Sequence, residues 1–303
     1  MTRMAVREVA GIDGTSLVYR AFGSETAPVL VLLHGWAQSS RCWGDGVLDA
    51  LARDFRVVAV DLRGHGYSQA PETGYADRSL WAGDLAAVLA AENVSETNPA
   101  VLLGWSYGGL VICDYLAEHG AGAVAGLVLV GAITSIGRGE KGGRVGASMR
   151  AAIPAAMSED PKEAVRALGS FGNALTGPVV EGSALLEGKG AVSQALFGAS
   201  LSTPPHVRAA LFDRAVGNDD LLAGLDVPVL LLHGDADSVV DVSAAHHAAS
   251  LLRRATTSIW EGVDHGPFVE DPHRFVSEVG EFARAATAEA ATREDRQQGS
   301  MEG

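Results

Sequence analysis

Five short runs of valine, leucine and alanine constrain the fold of this chain more than any other feature: Val29–Leu33, Val57–Val60, Val101–Leu103, Leu127–Val130 and Val229–Leu232. None alternates with polar residues as a half-exposed strand would, so they suit strands buried on both faces. Such strands belong to parallel sheets, whose crossover connections need a dozen or more residues, usually a helix. The stretches between the runs supply those helices, and the reading is an α/β fold: a mostly parallel twisted sheet flanked by helices. Ahead of it, the opening reads as two strands joined at Asp13-Gly14, a dipeptide that accepts the positive φ angles of a tight hairpin turn. With 303 residues, 47% of them hydrophobic, the chain has material for a full-sized core.

The rhythm stops after Val130 and resumes at Val227-Pro228. The segment 134–220 contains thirteen glycines and no Trp or Tyr, and its patterning is helical rather than strand-like. It carries nine basic and nine acidic residues, so it is neutral while the rest of the chain holds the whole charge of -14. This predicts a small helical cap, 134–220, inserted between a first part of the sheet domain, 1–133, and a second part, 221–286. The tail 287–303 is polar and charged, and its composition predicts disorder.

The acidic balance, 23 Lys plus Arg against 37 Asp plus Glu, disfavours nucleic acid or anionic lipid as partners. No segment reaches the roughly 18 continuous apolar residues of a membrane span. The first ten residues lack the apolar stretch of a secretory signal, which leads us to expect a cytoplasmic protein. Cys42 and Cys113 are too few for a disulfide framework and lack metal-site spacing. Gly23, Gly35 and Gly44 form no dinucleotide fingerprint, and no phosphate loop is present. Neither a cofactor nor a metal is expected, and nothing indicates an oligomeric state.

Chemistry enters at Gly104-Trp105-Ser106-Tyr107-Gly108, which follows the apolar run Val101–Leu103 and precedes the helix-compatible Gly109–His119. Strand, sharp turn and helix are what G-x-S-x-G needs in order to expose a nucleophilic serine. A serine hydroxyl is a poor nucleophile until a base takes its proton, so a histidine oriented by a carboxylate should accompany Ser106. Downstream, His233-Gly234-Asp235-Ala236-Asp237 places two carboxylates after the run Val229–Leu232. Asp264-His265-Gly266 then follows the expected strand Thr256–Trp260. His34 and His233, beside glycines at strand ends, read as structural hydrogen-bonding residues, and Arg63 and His65 as turn stabilisers. Asp235 reads as stabilising its turn through its own backbone, and His246-His247 as surface.

From about Val9 to Phe282 the chain resembles the α/β-hydrolase fold family, in the branch of small carboxylesterases, cofactor-free haloperoxidases or perhydrolases, and C–C bond hydrolases. His34-Gly35-Trp36 is similar to the family's oxyanion loop, Asp61 to Ser68 to its D-x-R-G-x-G-x-S turn, and Gly234 to Val240 to its G-x-x-D-x-x-V acid loop. The resemblance implies Ser106, Asp237 and His265 as the triad, and the backbone N–H groups of Trp36 and Tyr107 as the oxyanion hole. The side chains of Trp36 and Tyr107 are expected to shape an aromatic acyl pocket. Two departures stand out: Asp241 where the acid loop usually ends in Pro, and Ala37 where the haloperoxidase branch often has Pro.

The function implied is cleavage of a carboxylic ester, or a related acyl bond, of a small, uncharged, apolar or aryl substrate, with perhydrolase or haloperoxidase-type activity as an alternative on the same parts. C–C bond hydrolysis of an anionic substrate is the second reading, with Arg138, Lys141, Arg144, Arg150 and Arg166 of the cap as candidate cations. A ligand-binding receptor on the same fold is the third, since fold alone does not fix function.

Overall fold

A computed structural model describes residues 4–176 and 189–301. Among them, eight strands form one sheet: β1 (Ala5–Ala10), β2 (Ser16–Phe22), β3 (Val29–Leu33), β4 (Arg56–Val60), β5 (Ala100–Trp105), β6 (Val124–Val130), β7 (Val229–Gly234) and β8 (Ala255–Trp260). Their order is β1-β2-β4-β3-β5-β6-β7-β8. β2 pairs antiparallel with β1 and β4, and every pairing from β4 to β8 is parallel. All five Val/Leu runs lie in central strands, and β3 to β7 are buried at every residue. The sheet's edges are polar instead: β1 alternates half-buried and exposed residues, and β8 carries Thr256 and Thr257.

The helices are α1 (Asp45–Leu51), α2 (Arg78–Ala91), α3 (Tyr107–His119), α4 (Ala147–Ala156), α5 (Pro161–Thr176), α6 (Lys189–Ser202), α7 (Pro205–Ala210), α8 (Asp219–Gly224), α9 (Ser243–Leu251), α10 (Pro267–Glu270) and α11 (Pro272–Met301). Four of them, α4 to α7, lie in the stretch 134–220 between β6 and β7, where the described residues include no strand of the sheet. Residues 177–188 of that stretch lie outside the described residues. Among the described residues no helix is long and apolar enough to cross a membrane.

Two local expectations differ from what is observed. The β1–β2 connection is a five-residue loop, because pairing ends at Ala10 with Ser16. Gly14 alone of Asp13-Gly14 takes positive φ, at 84°, while the Asp13 carboxylate accepts from Thr15 N at 3.1 Å. The tail, expected to be disordered from 287, continues α11 to Met301. Its Ala, Glu and Arg residues favour helix, and Glu289 anchors it by accepting from Arg254 and from Arg293 one turn on. Residues 302 and 303 lie outside the described residues.

Candidate active site

Parallel strands deliver their carboxyl ends to one edge of the sheet, and that edge gathers the chemistry. β3 ends at Leu33 before Gly35 and Trp36, β5 at Trp105 before Ser106, β7 at Gly234 before Asp237, and β8 at Trp260 before His265. Register brings Leu33 beside Gly104 and Trp105 beside Val130. A Cβ placed on Gly35 would lie 2.9 Å from Ser106 Cβ, so the loop after β3 lies directly against the serine.

Ser106 stands between β5 and α3 with φ 54° and ψ -117°. For a residue with a side chain this conformation costs about 1–3 kcal/mol, and the surroundings must impose it. They do so through backbone bonds: Ser106 N donates to Val130 O at 3.0 Å, while Ser106 O accepts from Gly109 N and Ile133 N, each at 3.1 Å. The turn also needs the two flanking glycines. A Cβ on Gly104 would meet Gly108 C at 2.6 Å, and one on Gly108 would meet Leu33 O at 2.2 Å. Removing both side chains lets α3 start against β3 and β5.

His265 Nδ1 lies 2.8 Å from Asp237 Oδ2. Both are buried. Asp237 Oδ1 accepts from Val239 N and Val240 N at 2.8 Å each, which turns Oδ2 toward the imidazole. Burial pushes the Asp237 carboxyl upward, but the charge of His265 and the hydrogen bonds of His233 and His265 outweigh it and hold the group well below the ordinary aspartate range. Asp237 is therefore a carboxylate at neutral pH, so His265 presents its proton at Nδ1 and keeps Nε2 free to accept another. Trp105 Nε1 fixes this loop by donating to His265 O at 2.9 Å.

His233 carries more than its sequence position suggests. Its Nε2 lies 2.9 Å from Val240 O and 3.1 Å from Asp237 Oδ2, so the acid faces two imidazoles across one oxygen. His34 and His65 are structural, as expected. His34 Nδ1 donates to Gly35 O at 2.8 Å and Nε2 accepts from Leu62 N at 3.1 Å. His65 Nδ1 donates to Arg63 O at 2.9 Å and Nε2 accepts from Ala37 N at 3.3 Å. Burial lowers His34 to about 4; burial and the neighbouring His34 lower His65 to about 3. Arg63 pairs with Asp84 at 2.7 and 2.8 Å beneath the same turn. Asp235 stabilises its turn through Gly262 N, at 2.7 Å, rather than through its own backbone. His246 is exposed, and His247 faces Asp219 at 3.0 Å.

Tyr107 is the first residue of α3, so its N–H has no partner within the helix and lies next to Ser106. The side chains of Trp36 and Tyr107, expected to shape an aromatic acyl pocket, are engaged in packing. Both are 3% exposed. Trp36 Nε1 donates to Arg208 O at 2.9 Å, and its ring stands edge-on to Phe171 and Phe212 at 5.3 and 5.4 Å. Tyr107 OH accepts from Arg214 Nη1 at 3.1 Å. They are anchors for the helical segment after β6, their apolar area spent on holding it down.

That segment's buried cations were not foreseen. Arg214, fully buried, makes two 2.8 Å bonds to Asp114 of α3. Arg208 donates to Ala156 O at 2.7 Å, Ser200 O at 3.3 Å and Thr203 O at 2.5 Å, a cation set on the carboxyl ends of α4 and α6. By contrast Arg138, Lys141, Arg144, Arg150 and Arg166 are all exposed.

Fold and site together define a class. Residues 30–278 match the sequence model of the Alpha/beta hydrolase family, and the chain belongs to that family. A solved esterase from Rhodococcus sp. ECU1013 superposes with a TM-score of 0.88 at 68% identity, over 93% of this chain and 99% of that one. A non-heme haloperoxidase of Rhodococcus erythropolis is 31% identical, over 85% of this chain and 92% of its own length. A pimeloyl-[acyl-carrier protein] methyl ester esterase of Vibrio vulnificus is 30% identical, over 84% of this chain and 94% of its own.

Proposed function

We propose that this protein is a serine esterase that works through an acyl-enzyme on Ser106, with His265 as base and acid and Asp237 as the orienting carboxylate. The observation that carries this reading is the 2.8 Å Asp237–His265 bond on the same sheet edge as a serine held at φ 54°. His265 Nε2 takes the hydroxyl proton as Ser106 Oγ attacks the acyl carbon, and Asp237 stabilises the imidazolium that forms. The carbonyl oxygen becomes an oxyanion facing the N–H groups of Trp36 and Tyr107, each such donor being worth about 2.7–4 kcal/mol. His265 then protonates the leaving alcohol, and afterwards takes a proton from the water that releases the acid.

The helices between β6 and β7 act in this reading as a cap over the site, and the substrate is a small uncharged ester. The neighbouring esterases support the bond cleaved. Exposure of all five expected cap cations disfavours the second reading, C–C hydrolysis of an anionic substrate. The haloperoxidase relative keeps one variant open, with peroxide in place of water as acceptor of the acyl group. The test is turnover of neutral p-nitrophenyl esters beside a vinylogous diketone acid. Ester cleavage that Ser106→Ala abolishes is expected; faster cleavage of the diketone acid would replace this reading by the second.

A further inference from the structure

The loop that carries Asp237 is fastened from two sides by groups that do not face the reacting atoms. On one side, the carboxylate of Asp264 accepts from Ser238 N at 2.9 Å, and Ser238 Oγ lies 3.1 Å from each of its oxygens. Ala236 N adds a bond to Val263 O at 3.1 Å. The loop of the acid and the loop of the histidine are thereby clipped together.

On the other side stands the entry to α4. Asp241 N donates to Arg144 O at 2.9 Å, Gly146 N to Val239 O at 2.7 Å and Ser148 N to Ser238 O at 2.8 Å, around a bridge between Val145 and Val240. The helical segment thus begins as a short ribbon laid along the acid loop. Contact is close enough that a Cβ on Gly146 would fall 2.3 Å from Ser238 O and 2.4 Å from Ser238 C, both backbone atoms. Val239 joins the two halves: its carbonyl receives Gly146 N, and its N–H orients the Asp237 carboxylate. Val240 does the same between His233 and Asp237.

We propose that Gly146 and Asp264 are positioning residues for the Asp237–His265 pair, so that the seating of α4 on the acid loop sets the rate of turnover and not merely the access of substrate. The proposal rests on the triad reading above. A displacement of the ribbon moves the two N–H groups that aim Asp237, and a misplacement of about 1 Å far from the chemistry can cost about 10²-fold in rate.

The test is kcat and KM of Gly146→Ala, Asp264→Asn and Asp264→Ala on a neutral p-nitrophenyl ester, per site titrated by a fluorophosphonate, with the pH profile of kcat/KM and with Ser106→Ala alongside. Gly146→Ala is expected to lower kcat by about 10–100-fold with KM little changed. Its acid limb should move to lower pH although no charge is altered, because a misaimed carboxylate stabilises the imidazolium less. Loss of folded protein alone would reduce the titrated sites and leave that limb in place. Asp264→Asn keeps an acceptor for Ser238 and should retain most turnover, while Asp264→Ala should lose it; this pair carries the test if Gly146→Ala does not fold. An unchanged kcat and acid limb with raised KM in Gly146→Ala, or full kcat in Asp264→Ala, would overturn the proposal. Turnover retained by Ser106→Ala would instead remove the triad reading and this proposal with it.

Discussion

Asp237 is the most heavily engaged side chain of the site, with two backbone N–H groups on one oxygen and two imidazoles before the other. An asparagine there presents an amide that can favour the wrong tautomer of His265, so Asp237→Asn should lower kcat by about 10⁴-fold. Asp235→Asn, whose carboxylate receives Gly262 N at an exposed turn, should act on stability and leave kcat near wild type; the reverse pattern would put the acid at the wrong position. Asp237 was legible from its place in a loop motif. His233 as its second partner was not, because that contact forms across the turn after β7 and leaves no periodicity. The buried neutral His34 and His65 set a pH dependence of stability. Their folded values, about 4 and about 3, lie below the ordinary histidine value of 6.5, so their contribution is complete above about 6.5 and is lost as pH falls through that window. The unfolding free energy from urea titrations should decline from about pH 6.5 downward, its slope approaching about 1.4 kcal/mol per pH unit for each histidine. A flat profile between pH 6.5 and 4 would contradict this.

At the scale of elements, the central strands were readable because burial on both faces leaves an unbroken Val/Leu signature. The inward face of the helical segment was not, because its principal ties are charged. Arginine is mostly exposed in folded proteins, and nothing local in the sequence marks Arg208 and Arg214 as buried. Trp36 and Tyr107 differ for a related reason: their places in the expected oxyanion loop and next to Ser106 are visible in sequence, while the distant groups they meet, among them Phe171, Arg208, Phe212 and Arg214, are not. The Arg214–Asp114 pair ties this segment to α3, the helix that begins after Ser106. Removing Arg214 leaves the buried Asp114 carboxylate to the partly exposed Arg78, 3.3 Å away, so Arg214→Met should cost about 3 kcal/mol, and adding Asp114→Leu should recover much of it. Chemical denaturation of the two single variants and the double variant measures this; additive losses would show that the pair does not act as a unit.

Across the whole molecule, the -14 charge lies outside the neutral stretch 134–220, whose five candidate cations are exposed. Such a field repels anions, so kcat/KM should be higher for a neutral ester than for its anionic isostere, and added salt should narrow the gap. A preference of about tenfold for the anionic ester, or about 1.4 kcal/mol in that direction, would contradict this expectation. The central claim is narrower: a covalent acyl intermediate on Ser106. Its most direct measurement is the intact mass of the enzyme quenched during turnover of a slowly deacylated p-nitrophenyl ester, followed by mapping of the labelled peptide. One acyl group per chain, on the peptide containing Ser106 and absent from Ser106→Ala, is the predicted result. Normal turnover with no adduct, or an adduct at another residue while Ser106→Ala stays active, would contradict it.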